Sequence, residues 1–173
     1  MIEVEIRSFI SKEKFEELLE YFKKNANYLG EDYQETFYFD CNQDLRIQKN
    51  NHFAKIWLKK GELHDEQREE IEIKVDRDDF KKLEQIFKAL GHGVEVKWYR
   101  TRHSFDWNGI TVALDFTKGY GYIIELEKMS EDAEKDQNLE LLKSKMAELN
   151  IEITPKEEFA KKYAEYLKNW CEI

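Results

Sequence analysis

Charged and aliphatic residues alternate without a break in Met1-Ile2-Glu3-Val4-Glu5-Ile6-Arg7. On an extended strand residues two apart share a face, so Glu3, Glu5 and Arg7 line one side while Ile2, Val4 and Ile6 line the other. The aliphatic side needs a core. The charged side needs a separate reason to be ordered, and the rest of the chain repeats the pattern. Arg46 and Gln48 share a face; Lys55, Trp57 and Lys59 oppose Ala54, Ile56 and Leu58; Arg68, Glu70, Glu72 and Lys74 oppose Ile71, Ile73 and Val75. Arg100 and Arg102 share a face, Asp115 opposes Ile110, Val112 and Leu114, and Glu125 and Glu127 oppose Ile124 and Leu126.

The segments between these strands read as helices and turns. Ser11 is placed to cap a helix running to about Asn25, with Phe15, Leu18, Leu19 and Phe22 at helical spacing. Tyr33–Asp40 is a strand, a polar turn leads to Leu45–Lys49, and Asn50-Asn51 marks a hairpin into His52–Lys60. Arg68–Val75 follows. A helix from about Arg77 to Leu90 carries Phe80, Leu83, Ile86 and Phe87 on one face, with Gly91 at its C-terminus. Val94–Asp106 and Ile110–Asp115 form a hairpin around Asn108-Gly109, and Tyr122–Lys128 is the last strand. Two terminal helices close the chain, one over Asp132–Leu149 and one opened by Thr154 as N-cap with Pro155 at the first helical position.

Composition sets the outer limits. With 173 residues the chain is one domain, long enough for a core, and 14% aromatic content argues against disorder despite 38% charged residues. No apolar run approaches the ~20 residues of a membrane span, and no leader pattern opens the chain, so a cytoplasmic location is expected. Cys41 and Cys171 are expected to be reduced thiols. A net charge of -9 argues against nucleic acid as a partner but leaves room for a small anion held by a local basic cluster or a metal.

Alternation on one strand fits an open sheet with a solvated face. Here, however, Arg, Lys, Glu and Asp dominate that face on nearly every strand, and like charges on neighbouring strands repel unless something is bound between them. The economical arrangement is an α+β fold. Its eight-stranded antiparallel barrel is closed or nearly closed, with charges in the bore and helices packed outside.

Glu3-x-Glu5-x-Arg7 resembles the ExExK signature of the CYTH superfamily, the triphosphate tunnel metalloenzymes. Further segments resemble that family in order: Phe39-Asp40 with Leu45-Arg46-Ile47-Gln48, Trp57-Leu58-Lys59-Lys60-Gly61, Arg68-Glu69-Glu70-Ile71-Glu72, Arg100-Thr101-Arg102, Leu114-Asp115, and Gly121 through Glu127. The likeness spans about Ile2–Glu127, with the terminal helices over 131–173 completing a single domain.

The resemblance implies roles residue by residue. Glu3, Glu5, Glu125 and Glu127 would hold Mg²⁺ or Mn²⁺, and Glu70, Glu72 and Asp115 would serve a second metal or orient the basic residues. Arg7, Arg46, Lys55, Lys59, Arg68, Arg100 and Arg102 would grip a triphosphate, and Glu3, Glu5 and Arg7 form the catalytic group. The implied activity is metal-dependent hydrolysis of a triphosphate: tripolyphosphate, ATP or thiamine triphosphate. The alternatives are a class IV adenylyl cyclase making cyclic AMP and pyrophosphate, and a non-catalytic polyphosphate- or nucleotide-binding module. The expected state is a monomer or homodimer.

Departures from the pattern are specific. Arg7 replaces a lysine, Gln48 replaces an arginine, and Trp57 stands where a small polar residue is usual, either narrowing the bore, stacking on a ring or packing as core. Lys59 rather than Lys60 points inward by alternation, and the short acidic Glu62–Gln67 loop lacks the family's proline. Other candidates carry less. His52, His64, His92 and His103 show no metal spacing, and Gly119-Tyr120-Gly121 is not followed by the Lys-Ser/Thr of a phosphate loop. Tyr163, Tyr166, Leu167 and Trp170 cap an apolar end or form a dimer contact.

Overall fold

In a computed structural model, which describes residues 2–59, 67–68 and 70–172 (for Gln67 and Arg68 the backbone alone), Val4, Ile6 and Ser8 of the first strand are buried beneath helices while Glu3, Glu5 and Arg7 turn to the other face. The strands are β1 (Ile2–Ile10), β2 (Asn27–Phe39), β3 (Asp44–Lys49), β4 (Phe53–Lys59), β5 (Gln67–Arg68), β6 (Glu70–Asp76), β7 (Val94–Trp107), β8 (Ile110–Thr117) and β9 (Gly121–Ser130). They form one antiparallel sheet in the order β5-β1-β9-β8-β7-β2-β3-β4-β6. The outermost members, β5 and β6, are neighbours in sequence and together occupy the single strand expected over Arg68–Val75. The sheet therefore curls until its ends meet, where Glu3 and Val4 pair with Arg68 and Gln67. This is the nearly closed barrel, with helices outside. The expected contributions of Lys60, Gly61, the Glu62–Gln67 loop, Glu69 and the Arg68 side chain lie outside the described residues.

The outer face explains the helices. In α1 (Lys12–Asn25) Phe15, Leu18 and Phe22 recur at helical spacing, and Ser11 Oγ accepts the Lys14 N–H at 3.1 Å. With Leu142 and Met146 of α3 (Lys135–Glu148) they cover Val4, Ile6, Phe105, Val112, Leu114, Ile124 and Leu126. Burial of each such side chain contributes about 1.5–3 kcal/mol. α2 (Phe80–Ala89) lays Phe80 and Leu83 over Phe37, Phe39, Ile47 and Ala54. Among the described residues no helix is long and apolar enough to cross a membrane.

The last helix differs from expectation in one detail that matters for the site. Pro155 is the N-cap of α4 (Lys156–Asn169), and the Thr154 hydroxyl does not cap it. Thr154 Oγ1 instead accepts the Phe9 N–H at 3.0 Å and lies 2.8 Å from Ser8 Oγ, which donates to the Glu152 carbonyl at 2.6 Å. These bonds tie the start of α4 to β1 beside Arg7. Tyr166 and Phe159 are then buried with Val96, Tyr120 and Ile123, so the aromatic residues of α4 cap an apolar end of the barrel.

Two motif positions have backbone duties. The Asp40 carboxylate accepts the Gly93 N–H at 2.5 Å, and a Cβ at Gly93 would stand 3.0 Å from Asp40 Oδ2, so the two residues meet closely at the β2–β7 junction. Asn108 and Gly109 both have positive φ, 55° and 79°, as a two-residue hairpin of the right twist requires.

Candidate active site

The inward residues enclose a cavity of about 300 Å³. Fourteen of the sequence-predicted positions line it: Glu3, Glu5, Arg7, Arg46, Lys55, Lys59, Glu70, Glu72, Arg100, Arg102, Asp115, Glu125 and Glu127, together with the substituted Gln48. Strand alternation places them, and register decides which meet.

The first grouping is acidic. Glu5 stands opposite Glu127 across the β1–β9 ladder, and Arg7 opposite Glu125. Lys59 Nζ donates to Glu3 Oε1 at 3.2 Å and lies 3.2 Å from Glu70 Oε2. Burial pushes Glu3 up to about 8; Lys59 opposes the shift, while a hydrogen bond with Glu5 and the charges of Glu5 and Glu127 add to it. Burial and the Glu125 charge push Glu127 up to about 7. Lys59 itself stays above its ordinary value despite burial, because Glu5, Glu3 and Glu70 surround it.

The second grouping is basic. Arg102 donates from Nε and Nη2 to the two Asp115 oxygens at 2.8 and 2.7 Å, and from Nη2 to Glu125 Oε1 at 2.9 Å. Arg100 donates from Nη1 to Asp115 Oδ2 at 3.1 Å and from Nε and Nη2 to Gln34 Oε1 at 2.9 and 2.5 Å. Burial works to raise Glu125, but Arg102, Arg100, Arg7 and Lys59 hold it well below the usual carboxylate range. Burial and the adjacent Arg102 lower Arg100.

The β2–β3 wall is closed upon itself. Asp44 Oδ1 and Oδ2 accept from Arg46 Nε and Nη2 at 2.6 and 2.5 Å, with the guanidinium 4.3 Å from the Tyr38 ring centroid. Gln48 Nε2 donates to Thr36 Oγ1 at 2.9 Å and Gln34 Oε1 at 3.3 Å. On β4, Lys55 Nζ donates to Glu72 Oε2 at 2.5 Å and sits 4.3 Å over Trp57. Trp57 is buried and faces the bore, so it narrows the cavity rather than joining the outer core.

Toward α4 the lining turns aromatic, with Tyr38, Trp98, Tyr120, Phe159 and Tyr163. Arg7 lies 4.8 Å from the Phe159 centroid. Trp57 Nε1 and Thr117 Oγ1 are buried polar atoms without a hydrogen-bond partner among the described residues, and both residues line this cavity. Among the described residues no histidine lines the cavity; His103 Nδ1 lies 3.0 Å from the Tyr28 hydroxyl instead.

Four carboxylates stand on two adjacent strands, Glu3 and Glu5 on β1 and Glu125 and Glu127 on β9, and carboxylate oxygen is the ligand type of hard divalent cations. Among the described residues no three such groups converge on one point, since Glu3 turns to Lys59 and Glu125 to Arg102.

The sequence reading missed Asp44 as the partner of Arg46, and Gln34, Tyr38, Trp98, Thr117, Tyr120 and Phe159 in the lining. The first three lie at even spacing from Arg46 or from each other on one strand, a signal that was present; Trp98 and Thr117 likewise lie two residues from Arg100 and Asp115. Phe159 belongs to a helix whose docking no local pattern announces.

The family model for the CYTH domain matches residues 1–164. A Methanocaldococcus jannaschii protein named as a candidate adenylate cyclase is 33% identical over 163 residues, covering 87% of this chain and 91% of that protein. Among solved structures, a Pyrococcus horikoshii protein superposes with a TM-score of 0.77 at 25% identity, over 94% of this chain and 98% of that one. A Hippeastrum protein, described as an adenylyl cyclase candidate with a dominant triphosphatase activity, shares the fold at a TM-score of 0.69 and 19% identity, over 95% of each chain. With the family model spanning nearly the whole chain, and acids and bases facing one another inside a nearly closed barrel, the chain belongs to the CYTH family.

Proposed function

We propose that this protein is a metal-dependent phosphohydrolase acting on an inorganic or organic triphosphate. The observation that carries the reading is the juxtaposition, in one cavity of about 300 Å³, of the Arg100–Arg102 pair and Lys55 and Lys59 with a crowded cluster of Glu3, Glu5 and Glu127. A chain of phosphates matches the bases, and the volume is at the small end of ligand pockets. Glu3, Glu5, Glu125 and Glu127 would hold Mg²⁺ or Mn²⁺ once Glu3 leaves Lys59 and Glu125 leaves Arg102, and the ion when bound would supply Lewis acidity to phosphoryl oxygens. The chain's own residues do the rest. Arg102 and Arg100 present forked N–H groups to the phosphate oxygens, and Lys55 and Lys59 add point charge. Arg7, beside Phe159, marks the end of the phosphate chain toward the aromatic lining. A carboxylate of the acid cluster takes the proton of the water that attacks the terminal phosphorus, as the P–O bond to the leaving diphosphate breaks. Excess base alone would bind product as tightly as substrate; bases already engaged by acids release it.

A second reading, class IV adenylyl cyclase, is favoured by the name of the 33% identical relative and by the aromatic lining, which accepts a nucleobase. The test is one panel: incubation with Mg²⁺ or Mn²⁺ and tripolyphosphate, ATP or thiamine triphosphate, with orthophosphate and cyclic AMP measured. Orthophosphate release is expected. Cyclic AMP from ATP would move the assignment to the cyclase, and tight binding with neither product would leave a binding module.

A further inference from the structure

Asp44 has no part in the reading above, yet its geometry is that of a ligand. β3 begins with Asp44, so Asp44 and Arg46 share one face of the strand. The Asp44 carboxylate occupies the Nε–Nη2 edge of Arg46, the edge with which arginine takes a phosphate side-on. Both side chains are only 12% exposed, and Tyr38 and Trp57 hold the guanidinium plane at 4.3 and 5.5 Å. Next on the same face stands Gln48, neutral and bonded to Thr36 and Gln34. β3 therefore brings one positive charge to the bore, Arg46, and sets one negative charge, Asp44, against it. Asp44 also sits on a different wall from the carboxylates of β1 and β9, where a cation would be held.

We propose that Asp44 is an internal competitor for Arg46, an affinity-setting residue that a polyphosphate must displace to gain the Arg46 edge. The inference rests on the triphosphate reading. A long, highly charged ligand repays that displacement through its other contacts, whereas a shorter product, with fewer contacts, does not and leaves more readily.

The test is isothermal titration with diimidotriphosphate, whose bridging nitrogens resist hydrolysis, in the presence of Mg²⁺. Asp44→Asn keeps the shape and removes the charge, and it should tighten binding about tenfold, the scale of one charge-assisted hydrogen bond. The gain must depend on Arg46, so Asp44→Asn/Arg46→Gln should bind no tighter than Arg46→Gln alone. Asp44→Ser gives the same comparison if circular dichroism shows that the Asn variant does not fold. Unchanged or weaker binding by the Asp44 variants, or a gain that survives Arg46→Gln, would overturn the competitor role while wild-type binding upholds the tunnel reading. No binding by the wild type or any variant would overturn the triphosphate reading, and this inference with it.

Discussion

The β1–β9 wall and the β2–β3 wall of the tunnel are built from the same alternation, and they end in opposite electrostatic states. On the first, Glu5 faces Glu127, and Glu3 and Glu127 are pushed up to about 8 and about 7. On the second, Asp44 closes on Arg46 and Gln48 on Thr36 and Gln34. One wall crowds like charges that draw partners from other strands, and the other is internally satisfied. Alternation tells which residues face inward; only register tells whether they satisfy one another, and the crowded wall is the one to probe for chemistry.

The sharpest way to break this contrast is Glu5→Gln. Metal-dependent turnover should fall by roughly 100-fold while thermal stability holds or rises, because a charge leaves a crowded cluster. Retained turnover would remove Glu5 from the reacting wall. Next in size, Arg102→Ala strips Asp115 and Glu125 of a shared partner and should weaken tripolyphosphate binding by roughly 30-fold or more, with a lower melting temperature. An unaltered dissociation constant would deny Arg102 its phosphate contact.

A pH series addresses the acidic wall directly. A carboxyl whose pKa rises on folding holds its proton more tightly in the folded chain. Its stabilisation is therefore complete below the unfolded value near 4.5 and is lost as pH climbs through about 7 and about 8. His103, lowered by burial, contributes in the opposite sense, but it is one group against two. The cation-free protein should melt several degrees lower at pH 8.5 than at pH 5, and Glu3→Gln should flatten that slope; a melting temperature that rises over this range would contradict the crowding. The smallest effect belongs to the satisfied wall. Gln48→Ala breaks bonds worth about 1 kcal/mol and should alter tripolyphosphate affinity by no more than a few-fold, as calorimetry would show.

Much of the barrel was legible because period-two alternation survives any tertiary context. Glu3, Glu5, Arg100, Arg102, Glu125 and Glu127 could be placed in the bore from spacing alone. The early part of β2 was not: Gly30 at φ 127° and a register shift between Tyr28 and Gly30 break the pattern before Tyr33. Asp44 was hidden in the polar run Cys41–Asp44, which reads as turn, although it lies two residues from Arg46. Thr154 followed the sequence rule for a helix cap, but Ser8, distant in sequence, offered its hydroxyl a better partner. The pairing of Arg100 with Gln34 crosses between strands 66 residues apart and depends on register.

The claim shared by every reading of this tunnel is that a triphosphate enters it. Calorimetric titration of wild-type protein with diimidotriphosphate and Mg²⁺, at two salt concentrations, tests that claim without relying on turnover. The account predicts saturable binding of one ligand per chain that weakens as salt rises. Absence of saturable binding at either salt concentration would contradict it.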